Sequence, residues 1–235
     1  MDLFRKIISF TIYLVIDFTV LPDNHVLYVE REREYSPMET ESQGIIKELD
    51  PESGQSTELY QENTDFEQQI SEKGAHTNLL CRVPELNAIS FSMRHTSTIG
   101  VLDYDTHQLM TVFGGPISDY DISWDTQHGH QLTDKTLLVF NNNGSNGGSS
   151  ILEFEYDMNA HTATKIFDYS PGVSSMAFGD VKRLPGGNLF ITFSTSGVFH
   201  ELDPSGNLLR VIETDALGYS TQRKDLYGPP PPEGD

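Results

Sequence analysis

Leu184-Pro185-Gly186-Gly187 is one of four short turns that each separate two apolar runs; the others are Leu21-Pro22-Asp23-Asn24, Val83-Pro84-Glu85-Leu86 and Leu132-Thr133-Asp134-Lys135. The pattern restarts after 62, 49 and 52 residues. One small sheet of that length cannot bury both its faces, whereas stacked neighbours can, so the period predicts blades of a β-propeller. Each turn is followed by three further strand-like runs, at 136–142, 149–157 and 162–169 in the third unit and at 188–194, 198–203 and 207–213 in the fourth. With the strand before the turn, every unit holds four. Glu48-Leu49-Asp50-Pro51, Val101-Leu102-Asp103-Tyr104 and Glu201-Leu202-Asp203-Pro204 recur at equivalent places, and they carry the residue types that a tight turn between outer strands needs. No segment shows a long period of 3.6. The chain reads as all-β, a propeller region at 17–215 with four four-stranded blades at about 17–61, 75–115, 126–170 and 178–214.

Composition bounds the function. With 37% hydrophobic residues, 235 residues can build a core. A formal net charge of −20 argues against nucleic acid or an anionic membrane surface as partner. The single cysteine, Cys81, rules out an intrachain disulfide and says nothing of compartment. Residues 1–16 combine a basic start with an apolar stretch of signal-peptide length, too short to span a bilayer, and lack a small-x-small cleavage site. They read as a signal-like segment or as a stand-in for lost upstream sequence. The tail at 216–235 ends in Gly228-Pro229-Pro230-Pro231-Pro232-Glu233-Gly234-Asp235, which cannot join a sheet.

Strand register brings distant residues together. If Val83 pairs with Asn87 across the second unit's first turn, His76 falls opposite Arg94; if Leu132 pairs with Thr136, His128 falls across from Phe140, beside Asn141 and Asn142. Equivalent ends of inner strands surround one mouth of a propeller's channel, so His76, Arg94, His128 and the 141–143 loop are expected to converge there. Arg94 is the only Lys or Arg before Lys135 in a stretch rich in aspartate. Its planar fork of donors suits a sulfate, phosphate or carboxylate, and a structural bridge to one of those aspartates stands as the alternative. Gln127-His128-Gly129-His130 has the look of a metal half-site, since residues two apart on a strand share a face, but lacks a carboxylate or cysteine at ligand spacing. By the same alternation His95 falls on the face opposite Arg94.

Ala75-His76-Thr77-Asn78, Ser90-Phe91-Ser92-Met93-Arg94-His95, Val112-Phe113-Gly114-Gly115, Thr126-Gln127-His128-Gly129, Phe140-Asn141-Asn142-Asn143-Gly144 and Arg183-Leu184-Pro185-Gly186-Gly187-Asn188-Leu189 resemble, in order and spacing, successive motifs of the arylsulfate sulfotransferases. Members of that family are six-bladed propellers that move a sulfuryl group between phenols without a nucleotide donor. The resemblance implies an aryl sulfate and a phenol as small-molecule partners, no cofactor and no metal. It makes His128 the nucleophile that becomes a sulfohistidine, Arg94 the holder of the sulfuryl oxygens, and His76 the acid and base at the phenolic oxygen. Asn141 and Asn142 are expected to bind substrate, and Trp124, with Tyr120 and Phe113, to stack on its ring.

Two departures qualify that expectation. The family carries a histidine where this chain has Ile16, which register would put near Arg31, and four units make only about two thirds of a six-bladed ring. An open arc predicts self-association through unpaired blades. A truncated homologue acting as a silent binding module is therefore the first alternative function, and a metal-dependent propeller hydrolase the second. The apolar N-terminal segment and the resemblance together point to an extracytoplasmic location.

Overall fold

A computed structural model describes residues 13–32, 44–68, 74–144 and 147–215. The tail at 216–235 and most of the N-terminal segment, residues 1–12, lie outside them. The four units are four antiparallel sheets, each with its strands in sequence order. The first comprises β1 (Tyr13–Val20), β2 (Val26–Glu32), β3 (Gly44–Leu49) and β4 (Ser56–Gln61), and the second β5 (Thr77–Val83), β6 (Ala88–Met93), β7 (Thr98–Asp103) and β8 (Leu109–Phe113). The third comprises β9 (Gln127–Leu132), β10 (Thr136–Asn141), β11 (Ser150–Asp157) and β12 (Thr162–Tyr169), and the fourth β13 (Asp180–Arg183), β14 (Leu189–Phe193), β15 (Val198–Leu202) and β16 (Leu208–Glu213). The first strands are mutual neighbours, β1 against β5, β5 against β9 and β9 against β13, as inner strands around a channel must be. The sheets form an open arc of a propeller.

Three apolar cores lie between the four blades. Leu27, Val29 and Ile46 meet Leu80, Ile89 and Phe91 in the first. In the second, Ile99, Val101 and Phe113 meet Leu137, Val139 and Phe154. Leu138, Phe140 and Ile151 meet Val181, Ile191 and Phe193 in the third. β10 thus sends Leu137 and Val139 to one core and Leu138 and Phe140 to the next. Burial on both faces is why such strands read as unbroken apolar runs rather than alternations. At the ends of the arc, Phe18 and Val20 of β1 and Leu209 and Ile212 of β16 are exposed.

The outer turns are held by one aspartate each. Asp50, Asp103, Asp157 and Asp203 accept from the backbone N–H groups of Glu52, Thr106, Asn159 and Ser205 at 2.7–2.9 Å. This is the Asx geometry that makes the residue favourable there. Close packing sets a second local requirement at Gly100 of β7, where a methyl group would run into the ring of fully buried Phe91. Phe91 is itself locked edge-on against Phe66. Gly100→Ala is expected to cost about 1–3 kcal/mol through overpacking, read as a lower urea midpoint with unchanged slope.

The inner hairpins differ in detail from the register expected from their turns. Val83 pairs with Ala88 rather than Asn87, because Pro84–Leu86 form a 3-10 turn and Asn87 adopts a left-handed conformation (φ 48°) before the return strand begins. Leu132 likewise pairs with Leu137 rather than Thr136. A bulge then restores the expected pairing at the far end of each hairpin: Asn78 is inserted in β5, so Thr77 faces Met93, and His128-Gly129 oppose one residue in β9, so Gln127 faces Asn141. β1 has its bulge at Ile16-Asp17, which puts Leu14, not Ile16, opposite Arg31. Three inner strands therefore bulge at the same level, where bulges commonly re-aim side chains toward a site.

Candidate functional site

At this end of the inner strands, blades two to four each contribute one residue before the inner strand and one after the second strand. His76, Thr126 and Phe178 occupy the first position in blades two to four, all with left-handed backbone (φ 57°, 55° and 58°). Arg94, Asn142 and Ser194 follow β6, β10 and β14 directly and occupy the second. In blade two the pair is tied by the Arg94 N–H donating to the His76 carbonyl at 3.1 Å.

His128 sits in the β9 bulge and is 4% exposed. The neighbouring Gly129 carries no side chain, and a Cβ there would collide with Asp180 at the start of β13, so only glycine lets the fourth blade close on the third at this point. His128 Nδ1 lies 2.7 Å from Asn142 Oδ1. The orientation of Asn142 is set by its amide nitrogen, which donates to the carbonyls of Ser175 and Phe178 at 2.6 and 2.7 Å. Its oxygen must therefore face the imidazole, and since that oxygen can only accept, Nδ1 carries the proton and Nε2 the lone pair. An aspartate here would set a carboxylate against two carbonyl oxygens. Burial pushes the His128 pKa down to about 4, with the bond to Asn142 opposing and the positive charges of Arg94 and His76 assisting. Both partners are thus near enough to act on the imidazole electrostatically, and His128 is neutral at neutral pH.

Arg94 is half-buried. Its Nη2 donates to the Met176 carbonyl at 3.4 Å, while its Nε is buried without a partner. Among the described residues no carboxylate forms an ion pair with it, so the structural-bridge alternative is not realised there. A guanidinium with donors in reserve beside a neutral imidazole can hold an anionic group against a nucleophilic nitrogen. His76 completes the cluster. Its ring lies 4.8 Å from that of His95, which follows Arg94 in the turn after β6.

Other expected site residues are elsewhere. Asn141 serves the scaffold: its oxygen accepts from the N–H groups of Asp125 and Asn143, and its amide donates to Ser150 Oγ. Alternation puts it on the other side of β10 from Asn142, which holds His128. Trp124 belongs to the core between blades two and three. It is 8% exposed, lies 6.0 Å from Phe154, and donates its indole N–H to Gln127 Oε1 at 2.8 Å. Phe113 and Tyr120 stack on each other in the same core, 4.4 Å apart. None of the three is presented to the mouth as a stacking surface. The aromatic ring that does lie beside His128 is Phe178, 6.0 Å away and 46% exposed. Its position fifty-two residues after Thr126, just ahead of an inner strand, is the signal that could have found it.

The β9 bulge also separates the two histidines of the metal half-site. His130 is fully buried, with Nε2 2.8 Å from Ser90 Oγ and Nδ1 unpartnered, whereas His128 turns to Asn142. Among the described residues no group of three or more His, Cys, Asp or Glu could hold a metal ion.

Comparison with known proteins adds the family. A family model described as arylsulfotransferase (ASST) matches residues 47–214. No curated protein matches the chain. Among solved structures, a streptogramin B lyase superposes with a TM-score of 0.57 at 16% identity, covering 86% of this chain and 55% of that one. Virginiamycin B lyase from Staphylococcus aureus gives 0.53 at 13% identity over 84% and 55%, and a protein from Lactobacillus plantarum 0.53 at 16% over 88% and 56%. The chain spans little more than half the length of these structures, and at such identities the likeness is one of fold.

Proposed function

The chain belongs to the arylsulfotransferase family, and from that premise we propose that it moves a sulfuryl group from an aryl sulfate to a phenolic acceptor through a covalent intermediate on His128. The observation that carries this reading is the fixed tautomer: Asn142 holds the Nδ1 proton, leaving a lone pair on Nε2 of a neutral imidazole. Nε2 attacks sulfur, the N–S bond forms, and the S–O bond to the aryl group breaks with its electron pair on the phenolic oxygen. His76 gives that oxygen a proton. Arg94 donates to the sulfuryl oxygens as charge shifts between them, and Asn142 accepts a strengthening bond from Nδ1–H as the imidazole becomes cationic.

In the second half-reaction the acceptor phenol returns its proton to His76 and attacks the same sulfur. The N–S bond breaks, and free His128 is regenerated. Ping-pong kinetics follow from this sequence. The direct test is mass spectrometry after incubation with 4-nitrophenyl sulfate. A sulfuryl adduct on the peptide containing His128, discharged by added phenol, is the expected result; a protein that stays unmodified and releases no 4-nitrophenol would mark a silent propeller instead.

A further inference from the structure

We propose that Ser149 is a positioning residue for His128, tying the entry turn of blade four to the end of β10 so that Asn142 keeps the imidazole in one tautomer; the inference rests on the sulfuryl-transfer reading and names a residue that supports its nucleophile. Asn142 fixes the proton on Nδ1 only while the two carbonyls it donates to, those of Ser175 and Phe178, stay in place. Both belong to the turn from Ser174 to Gly179, which leads into β13 and so is part of the fourth blade, not the third. Within that blade the turn is held by Ser175 Oγ, which accepts from the Thr195 N–H at 3.1 Å, and by the Met176 N–H, which donates to Thr195 Oγ1 at 3.1 Å. Neither bond reaches β10.

Ser149 supplies the tie between blades. Its hydroxyl oxygen accepts from the Ser175 N–H at 2.8 Å, and the hydroxyl can donate to the carbonyl of Asn142 or of Ser175, each 3.3 Å away. Its own N–H donates to the Val173 carbonyl at 2.8 Å, just ahead of the turn. A ring of hydrogen bonds closes: Asn142 amide to Ser175 carbonyl, Ser175 N–H to Ser149 hydroxyl, Ser149 hydroxyl to Asn142 carbonyl. All three residues are buried, so a partner removed from this ring is not replaced by bulk water. Without the hydroxyl the Ser175 N–H is orphaned, the turn shifts toward another acceptor, and the barrier to rotating the Asn142 amide falls. A rotated amide presents N–H to Nδ1, which must then accept, and the imidazole proton moves to Nε2. That tautomer has no lone pair on the nitrogen that attacks sulfur.

The test reads the tautomer directly. Long-range ¹H–¹⁵N spectra of the full chain labelled at histidine, at pH 7, are expected to show His128, identified by its loss in His128→Ala, protonated at Nδ1. In Ser149→Ala a form protonated at Nε2 should appear, and kcat on 4-nitrophenyl sulfate should fall about tenfold with KM within about twofold of wild type. Ser149→Cys, which keeps the shape but has a weaker donor and acceptor, should fall between the two and carries the comparison if the alanine variant does not fold. Ser150→Ala is the control: it removes a neighbouring buried hydroxyl that accepts from Asn141 rather than meeting Asn142, and should change neither tautomer nor kcat. A wild-type tautomer in the Ser149 variants, or an equal shift in Ser150→Ala, overturns the proposal, as does a lower kcat with the tautomer unmoved, which a merely structural role would give. The two readings fail separately: a tautomer shift in Ser149→Ala with no turnover or adduct in the wild type keeps the positioning role and removes sulfuryl transfer, whereas a wild-type adduct that forms equally fast in Ser149→Ala removes the positioning role alone.

Discussion

His128→Ala is expected to lower 4-nitrophenol release from 4-nitrophenyl sulfate by more than about 10⁴-fold and to abolish its acceleration by added phenol. The size follows from the route: without Nε2 there is no covalent half-reaction, and binding alone contributes little to the chemical step. Asn142→Ala is expected to behave differently, losing about 10²–10³-fold in kcat with KM nearly unchanged, because it removes one preorganised partner from a reaction that still proceeds. The adduct on His128 should survive in that variant, accumulating more slowly. Phenol-stimulated release persisting in His128→Ala would show that another group receives the sulfuryl.

Acid should destabilise the fold well before carboxylates titrate. Burial lowers the pKa of His128 to about 4 and of His130 to about 3, from 6.5 for an unperturbed imidazole. Between pH 6.5 and 4 the unfolded chain therefore binds protons at these two positions that the folded chain refuses, and stability falls as pH falls through that window. Above it both states are neutral and the two residues add no pH dependence. At pH 5 the loss is about 2 kcal/mol for each, near 4 together. His200, buried against Tyr169 and also lowered by desolvation, works in the same direction, while Asp180, raised by burial, opposes it. Urea unfolding at pH 7 and pH 5 checks the sum, and His130→Gln, which keeps a partner for Ser90 without a titrating ring, should recover about half of the difference. Identical midpoints at the two pH values would mean that these imidazoles are not held neutral.

The candidate cluster was legible to a different degree at each residue. His76 and Arg94 meet as turn-counting predicts, although both turns are one residue longer than their sequences indicate; the bulge at Asn78 cancels the error before the mouth is reached. In β9 the compensation is the same, but it lies at His128 itself and decides where that ring points. Asn141 and Asn142 are adjacent and chemically identical, and alternation alone could not say which of them meets the imidazole. Trp124 misled for a related reason: its nearness to His128 in sequence is real, yet Gln127 and Phe154 draw it into the inter-blade core.

Period, polarity and turn chemistry are local properties, so the sequence by itself determined the four-stranded blades, their order, and the end of the inner strands at which reactive side chains gather. The tautomer of His128, the unpaired donors of Arg94 and the placement of Phe178 were decided only in the tertiary structure. Each depends on the turn from Ser174 to Gly179, which belongs to the next blade and reaches the site through three backbone carbonyls. Carbonyl groups are common to every residue, so contacts made through them leave no mark in the order of amino acids; only the packing of one blade on another reveals them.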